Sequence, residues 1–237
     1  MKIGIINAGN IGGRLARAWA NAGHEIMLSK DGEIHKLDPV LADIEAAGHG
    51  GSVSTGSLRE AAAFGDMVLF SVYWPRLDAV LAEIGDALDG KTVIETMNPL
   101  GVTEDFMHYH DTEFMAGNST AEQLQGKLPN AQVVKAFSTI AAPVLEAAAW
   151  SNHGDRQSVF YVGGDADAKM ATRTLIEDAG FRPVNAGPIS AARQLEQIGV
   201  LLHHVAHHEF DGDEDLIRIG FRMVESDPGP IARTRVA

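Results

Sequence analysis

The strongest constraint on the fold is a repeated alternation of short strands with helical segments. Six stretches before residue 138 have strand character, namely KIGIIN, HEIMLS, SVSTG, DMVLFSV, KTVIET and AQVVKAF. The apolar ones do not alternate with polar residues, as expected where helices cover both faces of a sheet. Strands separated by helices pair in parallel through right-handed crossovers. The alternation therefore predicts an α/β fold with a doubly wound parallel sheet of the Rossmann type.

A smaller set of elements follows. SVFYVGG and FRPVNAG read as strands, and residues 166–179 and about 190–210 read as helices. The stretch AAAWSNHGD interrupts the pattern before them. We therefore place a dinucleotide-binding domain at residues 1–148 and a small C-terminal α/β portion at 149–237, which completes the sheet and contributes to an acceptor site or a dimer contact.

Composition removes several classes of function. The 237 residues include no cysteine, which excludes disulfides, thiolate metal sites and cysteine nucleophiles. A formal charge of −13 repels nucleic acid and anionic membrane surfaces. No apolar run approaches the roughly 18 to 20 residues of a membrane span, and the N-terminal apolar stretch is too short for a signal peptide. We expect a soluble cytoplasmic protein that acts on a small molecule, without nucleic acid, membrane or metal.

A glycine-rich turn follows the first strand. In a G-x-G-x-x-G site the three glycines serve a tight turn, close approach of the pyrophosphate and helix–strand packing. Here Gly9 and Gly12 fill the second and third places, and Asn7 fills the first. Asparagine is the residue that, after glycine, best tolerates a positive φ. The segment Asn7 to Gly12, including Ala8, is therefore predicted to bind a dinucleotide, and the alternative is a purely structural turn.

The end of the second strand bears on which dinucleotide binds. The residue that contacts the adenosine ribose lies about 20 residues after the glycines, which leads to Ser29. A hydroxyl at Ser29 followed by the ammonium of Lys30 suits a 2′-phosphate and favours NADP(H). In the alternative, Lys30 is an ordinary surface lysine and Asp31 binds the ribose.

At this point the sequence resembles the NADPH-dependent reductases of the deazaflavin coenzyme F420, with the reductase domains of transmembrane ferric reductases as more distant relatives. Four stretches carry the resemblance: NAGNIGG with SK at 29 and 30, ETMNPLG, LPNAQVVKAFSTI, and residues 164–196. The resemblance implies a Rossmann-type domain, usually dimeric, in which NADPH passes hydride to a planar flavin or deazaflavin.

The resemblance also implies roles for particular residues. Gly9, Asn10 and Ile11 would approach the pyrophosphate, and Asn98 would face the nicotinamide ribose or ring. The residues that leave the fourth strand toward the nicotinamide half are Ser71, Val72 and Tyr73. Three departures concern Asn7 in place of glycine, Lys30 in place of arginine, and KAFST in place of KAFNT. The acceptor stays open, because a deazaflavin with an anionic tail is poorly matched to a chain of charge −13.

Other polar groups have a structural and a functional interpretation. His108, Tyr109 and His110 have the chemistry of a proton donor for a carbonyl or imine reductase. The residues of LLHHVAHHEF form two i,i+4 pairs, His203 with His207 and His204 with His208, which we interpret as flanking a packed amphipathic helix. The alternative is a role in a dimer interface or in contact with the acceptor. Lys135 is predicted to pair with a carboxylate or to point to a strand end. Arg193 and Glu196, three apart on one helix, are predicted to form a surface ion pair.

The sequence thus predicts an NADP-dependent oxidoreductase with a flavin- or deazaflavin-like acceptor. Two alternatives remain. One is a carbonyl or imine reductase, and the other is a binding protein that senses NADP(H) without turnover.

Overall fold

The computed structural model describes residues 1–102, 108–145, 156–210 and 220–224. The predicted domain boundary near residues 147–155 lies outside these ranges, as does most of the chain after Phe210. The division into residues 1–148 and 149–237 therefore stays a prediction.

One eight-stranded sheet forms the centre of the protein, in the order β10-β9-β8-β5-β4-β1-β2-β3. Its strands are β1 (Lys2–Ile6), β2 (Glu25–Ser29), β3 (Val53–Gly56), β4 (Met67–Phe70), β5 (Thr92–Glu95), β8 (Gln132–Lys135), β9 (Ser158–Gly163) and β10 (Arg182–Asn185). The six strands from β3 to β8 in this order pair in parallel. This arrangement confirms the predicted doubly wound α/β sheet of the Rossmann type.

Two features of the chain were not predicted from the sequence. Strand β9 pairs antiparallel with β8, so β9 and β10 extend the sheet in the reverse direction. Gly163 at the end of β9 has φ +90°, and a Cβ there would lie 2.6 Å from the carbonyl oxygen of Val133. Strands β6 (Leu100–Val102) and β7 (His108–His110) form a short antiparallel pair. They lie in a segment for which the sequence predicted neither helix nor strand.

Helices cover both faces of the sheet. They are α1 (Asn10–Asn21), α2 (Asp38–Ala46), α3 (Leu58–Phe64), α4 (Leu77–Ile84), α5 (Thr112–Met115), α6 (Thr120–Lys127), α7 (Ala166–Asp178) and α8 (Ala192–Glu209). One buried cluster packs α1, α2 and α7 on the first face, and a second packs α3, α4, α6 and α8 on the other. Trp19 of α1 is fully buried and donates from Nε1 to the carbonyl of Leu175 in α7 at 2.8 Å.

The strand order determines where a ligand can enter. Strand β1 lies between β2 and β4, and the chain crosses from one side of β1 to the other between β3 and β4. In open α/β sheets this reversal leaves a crevice at the carboxyl ends of the strands, because the adjacent connections run to opposite faces. The turn that follows β1 opens into that crevice.

Candidate functional site

A crevice of about 390 Å³ lies at the carboxyl ends of β1, β2, β4, β5 and β8. It runs from the glycine-rich turn to helix α8. Its lining includes Asn7, Gly9, Asn10, Ile11, Lys30, Ser71, Val72, Tyr73, Trp74, Met97, Asn98, Leu100, Ser138, Pro143, Gly199, Leu202 and His203. Nine of the twelve residues predicted to bind the coenzyme line this one crevice. Ala8, Gly12 and Ser29 are outside the lining.

Asn7 takes the conformation that the first place of the turn requires. Its φ is +58°, in the left-handed region that glycine occupies most easily. The next residue, Ala8, is buried and donates its amide to the carbonyl of Ser29 at 2.8 Å. This bond ties the β1 turn to the end of β2. Asn7 thus takes the backbone conformation that a glycine would take at the first place, and the turn is kept.

Gly9 and Gly12 serve different purposes. A Cβ on Gly12 would lie 2.9 Å from Cγ2 of Ile5, so the third glycine allows α1 to pack closely against β1. A Cβ on Gly9 would meet nothing closer than the ammonium of Lys30, at 3.7 Å. Gly9 therefore leaves open space in the crevice.

The same turn leaves helix α1 without a side-chain cap. Gly9 is its N-cap residue, and no side chain accepts a hydrogen bond from the first amides. Uncapped amides at a helix N-terminus attract phosphate, because they are unsatisfied donors at the positive end of the helix dipole. The open backbone, the uncapped amides and the nearby ammonium of Lys30 together fit the diphosphate of a dinucleotide.

Ser29 and Lys30 differ in their placement. Ser29 is fully buried, and its hydroxyl donates to the carbonyl of Ile5 at 2.8 Å. The structure therefore does not bring this hydroxyl to the crevice, because it is bonded within the sheet. Lys30 does line the crevice, beside Gly9.

The opposite end of the crevice contains buried polar atoms without partners. Asn98 donates from Nδ2 to the carbonyl of Ser138 at 3.0 Å, whereas its Oδ1 has no hydrogen-bond partner. The hydroxyl of Ser138 is likewise buried and unpartnered. Buried polar atoms without partners cost free energy, so this pair is suited to hydrogen bonds from a bound ligand.

Helix α8 closes this end of the crevice. A Cβ on Gly199 would lie 2.8 Å from Oδ1 of Asn98, so the glycine lets the helix contact the asparagine amide directly. Sequence reasoning assigned no role to Gly199 or to Ser138 individually. A glycine within a long helix, such as Gly199, does not by itself indicate a binding site, because glycines in helices have many structural causes.

A buried ionic cluster supports the loop that carries Asn98. Lys135 has no exposed side-chain surface and contacts Oε2 of Glu95 at 2.9 Å, the hydroxyl of Thr120 at 3.0 Å and Oε1 of Glu196 at 3.1 Å. It also donates to the carbonyl of Met97 at 2.5 Å. The cluster thus joins β5, β8, α6 and α8 directly beneath residues 96–98, which confirms the predicted carboxylate partner of Lys135.

The cluster corrects the assignment of Arg193 and Glu196 as a surface pair. Glu196 is 1% exposed and accepts hydrogen bonds from the amide and hydroxyl of Thr120, both at 2.8 Å. Arg193 instead contacts Glu122 of α6 at 2.8 Å through two nitrogens. The i,i+3 spacing on one helix could not show that a neighbouring helix supplies a better partner for each residue.

Burial and charge shift the titration of this cluster. Burial raises the pKa of Glu95, with Lys135 opposing and Glu196 adding to the shift. Burial alone would lower the pKa of the Lys135 ammonium, but the two carboxylates outweigh it and hold that pKa above its usual range. The ammonium is therefore a fixed positive charge between two carboxyl groups.

Two groups of candidate histidines meet in the structure. The rings of His110 on β7 and His203 on α8 lie edge to face, with centroids 5.1 Å apart and planes at 87°. His203 lines the crevice. His108 and Tyr109 belong to β7 by their backbone pairing, but their side chains, like that of His207, lie outside the described part of the structure.

Within the described residues no three His, Cys, Asp or Glu side chains come together in a group that could hold a metal ion. The helices in the same part of the chain are too short or too polar to cross a membrane.

The fold and the crevice define a dinucleotide-binding α/β protein of the Rossmann type. Residues 2–99 match the family described as NADP oxidoreductase, coenzyme F420-dependent. This match confirms the resemblance over the part of the chain that contains the glycine-rich turn, Lys30 and Asn98, and it supports the predicted cofactor NADP(H).

Two individual proteins are similar to this chain in sequence. Metalloreductase STEAP3 of Rattus norvegicus is 27% identical over 203 residues, which cover 85% of this chain and 37% of that protein. The F420-dependent NADP reductase of Methanocaldococcus jannaschii is 28% identical over 147 residues, or 61% of this chain and 63% of that protein. This chain therefore spans less than two thirds of the length of either relative.

A solved structure supports the fold independently. The crystal structure of a protein assigned as an F420-dependent NADP reductase from Arthrobacter sp. FB24 superposes with a TM-score of 0.78 at 24% identity. The superposition covers 95% of this chain and all of that chain.

Proposed function

We propose that this protein transfers hydride between NADP(H) and a planar flavin- or deazaflavin-like acceptor. The observation that carries the proposal is the continuity of the crevice. It begins at the uncapped N-terminus of α1, passes Lys30 and ends against α8, where apolar residues dominate its lining. One wall can thus hold a charged coenzyme while the far end receives an apolar ring.

The coenzyme is proposed to lie along the β1 turn. Gly9, Asn10 and Ile11 donate backbone amides to the pyrophosphate, and Lys30 supplies a cation for the 2′-phosphate. Lysine is a point charge without the planar fork of arginine, so this contact selects phosphate by charge more than by shape. The turn therefore provides affinity, and Lys30 provides part of the choice between NADPH and NADH.

The nicotinamide half is proposed to lie between the end of β4 and Asn98. Ser71, Val72 and Tyr73 follow β4 along the crevice wall. The free Oδ1 of Asn98 and the free hydroxyl of Ser138 are available to the ribose or the carboxamide. When bound, the coenzyme supplies or accepts the hydride at its nicotinamide ring, and the residues of the chain orient it and exclude water.

The acceptor is proposed to lie in the apolar end, against Trp74, Leu100 and Leu202. A flavin-like ring needs orientation more than a proton donor, because the ring itself spreads the negative charge that hydride transfer creates. No described carboxylate lines this crevice, which suits an acceptor that binds by stacking and apolar contact.

A carbonyl or imine reductase is the second candidate, and one observation favours it. His203 lies in the crevice with its ring against that of His110, so an imidazole is within reach of a polar substrate. An imidazole is the side chain best matched to proton transfer near neutral pH. Replacing His203 with Gln distinguishes the candidates, because it abolishes carbonyl or imine reduction but leaves hydride transfer to a flavin largely intact.

The primary test is binding followed by turnover. NADPH fluorescence should change on titration with the protein, and Lys30→Ala should weaken NADPH by about tenfold while leaving NADH nearly unchanged. Lys36→Ala is the matched control, since Lys36 is an exposed lysine paired with Glu33 at 2.7 Å. Turnover is then measured with flavins, a deazaflavin, carbonyl compounds and imines. Equal losses for both coenzymes would contradict the role of Lys30, and binding without any turnover would favour a sensor.

A further inference from the structure

We infer that Arg76 is a second determinant of coenzyme choice, which acts by holding the carboxylate of Asp31. Held in this way, Asp31 neither accepts the ribose hydroxyls of NADH nor repels the 2′-phosphate of NADPH. The inference rests on the proposed binding of NADP(H) along the β1 turn, and it adds a residue that no sequence pattern indicated.

The ion pair of Arg76 and Asp31 joins the segments that follow two strands of the sheet. Asp31 follows β2, and Arg76 ends the short helical turn Trp74–Arg76 that follows β4. Because β1 lies between β2 and β4, the hydrogen-bonded pair of Arg76 and Asp31 spans the carboxyl end of β1 from one side to the other. The neighbours Lys30 and Trp74 both line the crevice. The pair therefore stands beside the adenosine end of the proposed coenzyme site.

The chemistry of Asp31 makes its pairing consequential. An acidic residue just after the second strand is the group that accepts the ribose hydroxyls in NAD-dependent proteins of this fold. Asp31 lies two residues after the last residue of β2, within reach of that role. A free carboxylate here also repels a 2′-phosphate, whose charge is about −1.5 to −2 at neutral pH. Arg76 offsets both effects, because its guanidinium donates to Oδ2 of the carboxylate and its positive charge compensates the negative one.

The other charges after β2 do not replace Arg76. Glu33 has its own partner, Lys36, at 2.7 Å. Lys30 lies on the crevice side, with its ammonium near Gly9. In the described structure Asp31 makes its salt bridge with Arg76 across the turn, so loss of the guanidinium exposes this particular carboxylate.

The test compares coenzyme affinities in four proteins. Dissociation constants for NADPH and NADH are measured by fluorescence titration in the wild type, Arg76→Gln, Asp31→Asn and the double variant. Arg76→Gln should lower the preference for NADPH over NADH by about tenfold, through weaker NADPH binding and unchanged or tighter NADH binding. Asp31→Asn should keep or increase the preference. The double variant should recover the preference of the wild type to within about threefold, because the carboxylate is gone.

Arg59→Gln is the matched control. Arg59 pairs with Asp86 at 2.6 Å and has a side-chain exposure of 54%, close to the 56% of Arg76, but it lies on α3 away from the crevice. This variant should leave both dissociation constants unchanged. Thermal unfolding of all variants confirms that they are folded.

Two results would overturn the inference. An unchanged preference in Arg76→Gln would show that the pair has no influence on the coenzyme. A preference that stays low in the double variant would show that Arg76 contacts the phosphate itself and does not act through Asp31. If the wild type binds neither coenzyme, the proposed function fails as well, which distinguishes that outcome from failure of the role of Arg76 alone.

Discussion

Replacing Lys135 with Met tests whether the buried ionic cluster holds the crevice together. The substitution keeps the length of the aliphatic stem and removes the ammonium. In the wild type this ammonium contacts Glu95, Thr120 and Glu196 at 2.9 to 3.1 Å with no solvent exposure of the lysine. The variant leaves two carboxyl groups buried beside each other without a counter-charge.

The expected loss is large compared with the stability of a typical domain. Removing one partner of a buried ion pair costs about 3 to 5 kcal/mol, because an uncompensated charge stays in the interior. A domain of this kind has a free energy of unfolding of about 5 to 15 kcal/mol. Lys135→Met should therefore lose a large fraction of its stability and remain folded only under mild conditions.

The measurement is urea unfolding at pH 7 with Lys127→Met as the control. Lys127 pairs with Asp78 at 2.9 Å on the surface, with side-chain exposures of 38% and 81%, so its replacement should cost less than about 1 kcal/mol. Because the pKa of Lys135 is held above its ordinary 10.5, the stabilisation is fully present below pH 10.5. It is lost only as the pH rises through the value in the folded protein.

Acid conditions provide a second check. Burial already raises the pKa of Glu95 in the wild type, and in Lys135→Met the opposing ammonium is gone. The carboxyl group of Glu95 should therefore bind a proton more readily than in the unfolded chain, so the deficit relative to the wild type should shrink as the pH falls. A deficit no larger than that of Lys127→Met, or one that is constant between pH 7 and pH 5, would refute this account of the cluster.

Three further predictions concern the turn and helix α6. Gly9→Ala should weaken NADPH binding about tenfold or more in fluorescence titration without changing thermal stability. Gly12→Val should lower the free energy of unfolding by about 1 to 3 kcal/mol, since only this substitution overpacks the core. Equal effects of the two substitutions on stability would contradict this division of roles. Asn7→Ala should cost about 1 to 2 kcal/mol in urea unfolding because of the positive φ, and Asn7→Gly should not; identical losses would argue against strain. Arg193 holds the pKa of Glu122 below its ordinary 4.5, so the stabilisation by Glu122 is present above pH 4.5 and is lost as the pH falls through the pKa of Glu122 in the folded protein. Glu122→Gln should flatten this acid part of the plot of unfolding free energy against pH. An unchanged slope in that range would contradict the prediction.

The part of the crevice formed by the β1 turn was largely predictable because its determinants are local. A tight turn between β1 and α1 needs a residue that tolerates positive φ and a glycine against the strand, and both leave a mark in NAGNIGG. Lys30 was found by counting along a strand whose length the fold dictates. Ser29 shows what counting residues cannot decide, because its hydroxyl donates to the carbonyl of Ile5 inside the sheet.

Other contacts around the crevice were less predictable because they join distant segments of the chain. Gly199 contacts Asn98 across about a hundred residues of chain, and Arg76 reaches Asp31 over 45. Neither of these sequence separations matches the periodicity of a helix or strand or the spacing of a recognised motif. The contact between His110 and His203 joins two groups whose sequences were interpreted separately.

The sequence by itself determined the alternation of strands and helices, the parallel pairing of a doubly wound sheet and the position of the turn, because apolar periodicity and backbone preferences act over a few residues. Tertiary structure alone decided which charges face each other, how β9 reverses direction and which side chains close the crevice. Those outcomes depend on packing between segments far apart in the chain, where an ionic or polar group takes the nearest partner in space and not the nearest in sequence.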